Sequence, residues 1–156
     1  MCRLLWFSCK MNSALIIIWV WLAMLAMSFW ESSVEGRNAW DKKKIGWKIK
    51  LGKYIITTRY HFFIFWVMMP ILLSLPLIIY GWNTKLCGIL ISAYFSGMII
   101  EDFGWYVVNP KVQLKEFWTS FSDYYPWLRF KNKKIIPVLY IIGILISIVS
   151  WYFIWR

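Results

Sequence analysis

Residues 86–108 read LCGILISAYFSGMIIEDFGWYVV, and this stretch decides the fold. Its length suits a membrane-spanning helix, which needs about 20 predominantly apolar residues. Its only charged residues are Glu101 and Asp102. Small residues recur at every fourth position in two rows: Gly88, Ser92 and Ser96, and Ala93 and Gly97. Because rows of small residues let helix backbones approach closely in lipid, we expect this helix at the centre of a bundle.

Three further apolar stretches flank it, at about residues 13–30, 60–81 and 135–155. The composition agrees, since 61% of the residues are apolar and 21% are aromatic, whereas a soluble domain is about 45–50% apolar. Of the 18 basic and 7 acidic residues, only Glu101 and Asp102 fall within the four stretches. The sequence therefore predicts a single transmembrane domain over residues 1–156, of the all-α class, with four transmembrane helices.

Lysine and arginine are distributed unevenly between the two sides of the predicted membrane. The connecting loops 31–59 and 109–134 carry all of them except Arg3, Lys10, Lys85 and Arg156. Because cytoplasmic loops are rich in Lys and Arg, we expect a multi-pass protein of the cell membrane with both loops in the cytoplasm and both termini outside. The first span is then an uncleaved anchor. This distribution explains the net charge of +11, and we expect no nucleic-acid partner.

Glu101 and Asp102 are the first candidate site residues, because a carboxylate within a membrane span is costly and commonly functional. On a helical wheel Glu101 continues the row of Ala93 and Gly97 and therefore faces neighbouring helices. Two interpretations stay open at this point. One is a proton, cation or metal site, and the favoured one is a structural charge pair with Arg59 or another basic residue at the cytoplasmic rim.

His61 is the only histidine of the chain. It lies at the start of the second span, at a depth comparable to Glu101 and Asp102 because the second and third spans run antiparallel. We count it, with Asn109, among the candidate catalytic residues, although a histidine bonded to backbone or rim water is favoured. Protein zinc sites usually take three or four protein ligands, and we expect no metal ion and no other cofactor.

Asn109-Pro110 has the form of a helix start, with Asn as the N-cap and Pro at the first helical position. The apolar residues that follow recur at helical spacing: Leu114, Phe117, Trp118, Phe121 and Tyr125. The pattern predicts a short amphipathic helix in the cytoplasmic interface. We expect residues 101–110 to form a polar cluster in which at least one carboxylate meets Arg59 or His61.

The first loop carries a run of lysines beside the second span: Lys42, Lys43, Lys44, Lys48, Lys50 and Lys53. Alternate positions from 45 to 51 are apolar, which is typical of a strand. A polybasic segment next to a span attracts anionic lipids, so these lysines form a candidate lipid-facing basic patch. The alternative is that they only set the topology.

The stretch EDFGWYVVNP at residues 101–110 resembles the signature E-D-x-x-W-[FY]-x-x-N-P of small, uncharacterised prokaryotic multi-pass membrane proteins. The resemblance covers about ten residues and implies a shared fold without a known activity. It also implies that the matching residues act as one unit: Glu101, Asp102, Trp105, Asn109 and Pro110. A Trp-His pair often follows in such proteins, whereas the corresponding residues 125–128 read YPWL here, without a histidine.

Motifs of soluble enzymes are absent, since the sequence has no GxxxxGK[ST], GxGxxG, HExxH or CxxC pattern. We therefore expect a non-enzymatic membrane protein with a structural, accessory or lipid-interacting role at the cytoplasmic face. Two alternatives stay open: an intramembrane or interfacial enzyme acting on a lipid through Glu101 and Asp102, and a small transporter or channel with Glu101 as its ion or proton site. The expected partners are membrane lipids, anionic ones included, and a membrane-protein partner or a second copy of the chain.

Overall fold

Four long helices run through the computed structural model of the protein, which describes residues 12–39 and 46–156. Their bounds are Ser13–Glu35 for α1, Arg59–Ile79 for α2, Thr84–Val108 for α3 and Val138–Trp155 for α4. Each helix is long and apolar enough to cross a membrane, as the four predicted stretches require. α1 and α3 end, and α2 and α4 begin, at the same end of the bundle.

Two of these helices contain π-helical segments. α2 is α-helical over Arg59–His61, π-helical over Phe62–Met68 and α-helical again over Met69–Ile79. α4 is α-helical over Val138–Ser150 and π-helical over Trp151–Trp155. π-Helical turns are rare and often lie at functional sites. The one over Phe62–Met68, directly after His61, therefore makes the start of α2 a candidate functional region.

Two antiparallel hairpins lead into α2 and α4. β1 (Lys48–Leu51) pairs with β2 (Tyr54–Thr58), and β3 (Trp127–Phe130) pairs with β4 (Lys133–Pro137). In both hairpins the register shifts after the second residue of the first strand, and the second strand runs directly into its helix. The all-α prediction is wrong here, because β-branched and aromatic residues favour strands. The end of the bundle that carries them is called the hairpin end.

α1 is longer than the predicted span and ends at Glu35 instead of residue 30. Its buried residues form one stripe along the helix: Val20, Met24, Ser28, Glu31, Ser32 and Glu35. Their spacing of mostly three or four residues keeps them on one face, so packing extends the helix beyond its apolar part. Gly36 follows it with φ of 56°, a conformation that glycine adopts without steric cost.

α3 is the most buried of the four helices and packs against both α1 and α4. Its small residues allow these contacts. A Cβ atom added at Gly97 would stand 2.8 Å from Cγ of Met24, and one added at Gly88 would stand 2.6 Å from Cγ2 of Ile154. The close approach is what the rows of small residues predict for a central helix.

The segment after α3 does not form the predicted amphipathic helix. Two 3₁₀ turns, Leu114–Trp118 and Ser120–Ser122, take its place. Asn109 is the C-cap of α3 instead of the N-cap of a new helix. The Thr119 hydroxyl donates to the carbonyl of Glu116 at 2.9 Å and accepts from the Phe121 N–H at 3.3 Å, and such local side-chain bonds compete with a regular helix.

Aromatic side chains of α3, the second loop and α4 form one buried cluster at the hairpin end. Its buried rings are those of Trp105, Tyr106, Phe117, Tyr124, Tyr125, Trp127 and Tyr140. The Phe117 ring lies 4.9 Å from each of the Tyr106 and Trp127 rings, in the edge-to-face geometry that aromatic pairs prefer. The backbone N–H of Ile55 donates to the carbonyl of Tyr124 at 2.8 Å, so the first hairpin is also joined to this cluster.

Candidate functional site

The buried stripe of α1 brings two glutamates into the bundle at its hairpin end. Glu31 and Glu35 are only 4% and 7% exposed. They lie seven and eleven residues after the fully buried Met24, so all three side chains share one helix face. Both carboxyl groups therefore point toward α3 and the start of α2.

His61 reaches the same place because of the hairpin that precedes it. Thr58, the last residue of β2, is the N-cap of α2, and His61 is the third residue of that helix. The Thr58 Oγ1 atom lies 2.7 Å from Nδ1 of His61, which fixes the orientation of the ring. The opposite nitrogen, Nε2, then lies 3.3 Å from Oε1 of Glu31 and 3.7 Å from Oε1 of Glu35.

Glu101 completes this group from α3, on the face that the helical wheel predicts. Its side chain is 4% exposed, and its carboxyl group interacts with those of Glu31, Glu35 and Asp102. Its Oε1 atom has no hydrogen-bond partner among the described residues. An unsatisfied buried polar atom is uncommon and calls for an explanation.

Asp102 has different partners. Its Oδ2 atom accepts hydrogen bonds from the phenols of Tyr140 and of Tyr125. Burial raises the pKa of the Tyr125 phenol well above its ordinary value, so this group is a protonated donor at neutral pH. Arg59, the expected partner of the carboxylates, is exposed and forms no ion pair with Glu101 or Asp102 in the described part of the chain.

These groups line one cavity, called the carboxylate cavity, with a volume of about 360 Å³. Its polar end is formed by ionisable residues of three helices: Glu31, Glu35, His61, Glu101 and Asp102. Most of the remaining lining is apolar and comes from α2, α3 and α4. Trp66 and Ile142, which also line it, are 54% and 46% exposed. The cavity is therefore lined in part by side chains that also reach the outer surface of α2 and α4.

Asn109, the fourth candidate from the sequence, lies outside the cavity lining. Its Nδ2 donates to the carbonyl of Gly36 at 2.7 Å, and its Oδ1 accepts from the backbone N–H of Lys111 at 2.9 Å. These bonds join the C-terminal ends of α1 and α3. Asn109 therefore positions the helices that carry the glutamates.

The basic patch is only partly described by the structure. Lys42, Lys43 and Lys44 lie outside the described residues. Lys50 and Lys53 are exposed on the first hairpin, and Lys48 is half-buried at its start. The described lysines, Lys48, Lys50 and Lys53, lie on the first hairpin at the hairpin end and contribute no side chain to the cavity.

Glu31 and Glu35 are the site residues that the sequence analysis missed. Both were predicted to lie in the first loop, because the apolar stretch of α1 ends at Trp30. A signal was present, since the positions 20, 24, 28, 31 and 35 continue one buried stripe with helical spacing. Extending the helix by that spacing would have placed both glutamates on the same face as Met24.

No protein-family model, no curated protein and no solved structure matches the chain. Its function is therefore argued from the chemistry of the carboxylate cavity. That chemistry comprises four carboxyl groups, one imidazole and several phenols at the end of an apolar space.

Proposed function

We propose that this chain is an intramembrane enzyme that binds a lipid-like molecule in the carboxylate cavity and performs acid–base chemistry on its polar group. The observation that carries this proposal is the meeting of one imidazole and four carboxyl groups at the end of an apolar cavity. Two buried polar atoms of the lining, Oε1 of Glu101 and Nε1 of Trp105, have no hydrogen-bond partner among the described residues. Because buried polar atoms are nearly always hydrogen-bonded, they support a polar ligand group at this place.

A purely structural role explains this group less well. Buried ion pairs often add little net stability, because the desolvation of both groups offsets their attraction. Ionisable residues within membrane spans more often mark a substrate, ion or proton pathway. Four carboxyl groups and one imidazole line this one cavity, which is more than a structural ion pair needs. The structural or accessory role expected from the sequence is therefore the second candidate function.

The apolar lining points to the class of ligand. A volume of about 360 Å³ falls within the range of about 300–1,000 Å³ that is typical of small-molecule sites. Phe65, Met98 and Ile99 form part of the wall beyond the polar end. Since Trp66 of α2 and Ile142 of α4 both line the cavity and reach the outer surface, we infer that an acyl or prenyl chain enters from the bilayer beside them.

The polar end offers both partners of acid–base catalysis. His61 and Glu31 form a close imidazole–carboxyl pair, and such pairs accept or deliver protons within hydrogen-bond reach of a substrate. Asp102 is held in place by the phenols of Tyr140 and Tyr125. We assign proton transfer to His61 with the α1 glutamates, and binding of the polar group to Glu101 and Asp102.

We also propose how the bundle is oriented in the membrane. The hairpin end carries both basic loops, so we infer that it faces the cytoplasm. Ile49, Leu51 and Phe130 are 50%, 69% and 64% exposed on the two hairpins. Apolar residues next to exposed lysines suit a surface that lies on anionic lipid headgroups. In this arrangement the polar end of the cavity lies near the cytoplasmic headgroup level.

The experiment compares bound amphiphiles in purified proteins. Wild type, Ala39→Phe and Leu139→Trp are isolated in mild detergent, and their co-purified small molecules are identified by native mass spectrometry. Ala39 and Leu139 both line the cavity, and Leu139 lies at its rim with 36% exposure, so its replacement leaves the buried core intact. The matched control is Ala14→Phe, at an exposed position of α1.

We expect wild type and Ala14→Phe to retain an amphiphile and the two cavity variants to lose it. A wild type that carries no amphiphile but co-purifies with a partner protein would overturn the proposal in favour of the accessory role. Ion flux in liposomes that disappears with Glu101→Gln would overturn it in favour of a transporter. Size-exclusion profiles identify variants that fail to fold.

A further inference from the structure

Three potential metal-ligand atoms lie close together at the hairpin end of α1 and the start of α2. They belong to Glu31, Glu35 and His61, all three buried, and lie within 4.8 Å of one another. We propose that these three residues bind one divalent transition-metal ion and that the Glu101 carboxyl group of α3 lies beside them, hydrogen-bonded to Glu31. This inference rests on the proposed function in that it assigns a cofactor to the same cavity.

The distances fit a shared metal ion. Bonds from zinc to histidine nitrogen and to carboxylate oxygen are about 2.0–2.2 Å long. Two ligand atoms of one ion are then at most about 4.4 Å apart. The Nε2 atom of His61 lies 3.3 Å from Oε1 of Glu31 and 3.7 Å from Oε1 of Glu35, so both pairs fall within this limit.

The burial of Glu101 beside this group is a second observation that supports a bound cation. Its side chain is 96% buried, as its 4% exposure shows, and its Oε1 atom has no hydrogen-bond partner in the described part of the chain. Its carboxyl group lies beside that of Glu31, a metal-ligand candidate, and a side-chain hydrogen bond joins the two. Two carboxyl groups that face each other away from water need a proton or a cation between them. A cation bound to Glu31 would also satisfy Glu101.

Thr58 supplies the outer support that metal-bound histidines commonly have. A ligating imidazole usually makes a hydrogen bond through its other ring nitrogen, which fixes the tautomer and the ring orientation. Here the Thr58 hydroxyl lies 2.7 Å from Nδ1 of His61, so Nε2 is left to face the glutamates. Thr58 is fully buried, and its hydroxyl is therefore sheltered from exchange with solvent.

The ligand set indicates the class of ion. Carboxylate oxygens suit Mg²⁺, Ca²⁺ and Mn²⁺, whereas imidazole nitrogen suits Zn²⁺, Cu²⁺, Fe²⁺ and Ni²⁺. Two carboxylates with one imidazole therefore favour Mn²⁺, Fe²⁺ or Zn²⁺ over Mg²⁺ and Ca²⁺. No metal was expected from the sequence, because the predicted spans place His61 near Glu101 and Asp102 but leave out the two glutamates of α1.

The ion would define the polar end of the cavity. Glu31 and Glu35 approach it from α1 and His61 from α2, while Glu101 of α3 faces Glu31. As ligands of the ion, His61 and the α1 glutamates would orient the polar group, and the proton transfer assigned to them would then fall to Asp102, which is held by two phenols and stays outside this set. A cation held in this way attracts a phosphate or carbonyl oxygen of an amphiphile, so the proposed substrate is one whose polar group contains such an oxygen.

Metal content is the direct test. Protein purified in detergent is stripped with a chelator, incubated with Mn²⁺ or Zn²⁺ in the presence of excess Mg²⁺, desalted and measured by mass spectrometry of the elements. We expect wild type to retain one ion per chain. Glu35→Gln and His61→Gln should retain less than a tenth of that amount, whereas Glu116→Gln, the matched change of a glutamate at the protein surface, should behave as wild type.

A second measurement needs no variant. In electron paramagnetic resonance, the spectrum of aqueous Mn²⁺ should give way, when wild-type protein is added, to that of a bound ion. The new spectrum should show coupling to one imidazole nitrogen. An unchanged aqueous signal, or equal metal retention in wild type and His61→Gln, would overturn the metal site. Protein that retains an amphiphile without metal contradicts only this inference, and protein that retains metal without an amphiphile contradicts only the proposed function.

Discussion

Ser28 of α1 donates a hydrogen bond from Oγ to the backbone carbonyl of Glu101 in α3, across 2.8 Å. A Cβ atom added at Gly104, one turn further along α3, would stand 2.5 Å from the same Oγ. The two helices therefore approach each other closely here, one turn before Glu31 on α1 and at Glu101 on α3. Small residues on both helices allow this approach.

Gly104→Ala should destabilise the protein, because the added methyl group displaces the Ser28 hydroxyl from the Glu101 carbonyl. Overpacking of this kind costs about 1–3 kcal/mol, and thermal unfolding in detergent measures it. In a Ser28→Ala background the same change should cost less, since the nearest clashing atom is gone. Strictly additive effects of the two substitutions would contradict this contact.

Tyr140→Phe should lower the stability through Asp102. The Tyr140 phenol donates to the Asp102 carboxylate inside the cavity, and hydrogen bonds to charged groups contribute about 1.5–3 kcal/mol. The control is Tyr152→Phe in the same helix, because Tyr152 is 53% exposed. Similar unfolding temperatures for the two variants would show that Asp102 does not depend on this phenol.

Stability at acidic pH should depend on Glu116. Its carboxylate accepts from both terminal nitrogens of Arg37, at 3.1 and 2.7 Å, and from the backbone N–H of Gln113 at 2.9 Å. These bonds lower the pKa of Glu116 to about 2, whereas an unfolded glutamate titrates near about 4.3. A lowered pKa stabilises the fold above the unfolded value, and this stabilisation disappears as the pH falls through the folded value.

Wild type should therefore be more stable than Glu116→Gln at neutral pH, and the difference should vanish between about pH 5 and pH 2. Unfolding temperatures measured across this range test it. In an Arg37→Gln background the effect of Glu116→Gln should vary much less with pH. A difference that stays constant down to pH 2 would contradict the assignment.

The proposed orientation is open to cysteine labelling in sealed cells. In a variant whose Cys2, Cys9 and Cys87 are replaced by serine, a single cysteine is placed at Trp82 or at Lys53, both exposed. An impermeant reagent added outside should label position 82 and leave position 53 unlabelled until the cells are opened. Labelling of position 53 in intact cells would reverse the proposed topology.

The helices were predictable from the sequence because the apolar stretches have the length of a span. The hairpins were harder to predict, although alternation at positions 45–51 suggested the first strand. The second hairpin was missed because Ile135, in β4, was taken as the start of the last span. Apolar strand residues and apolar helix residues are indistinguishable by composition over so few positions.

The candidate site was predicted in part. His61, Glu101 and Asp102 line the same cavity, in keeping with the comparable depth expected of them. The partners differ from the expected ones, since His61 lies beside Glu31 and Glu35 and Asp102 binds two phenols. A span predicted from hydropathy ends where charged residues begin. It therefore leaves out Glu31 and Glu35, although packing against α2 and α3 buries both.

The direct passage of each hairpin into its helix has a consequence for which parts of the chain tolerate insertions and deletions. Thr58 ends β2 and caps α2 at the same time, so strand register and helix rotation are not independent. Removing one residue from β2 would draw the start of α2 back by about 3.3 Å along the strand and turn the residues that follow toward the opposite face. His61 would then leave the glutamates of α1, so natural changes in length should avoid β2 and accumulate in the segment between α1 and β1.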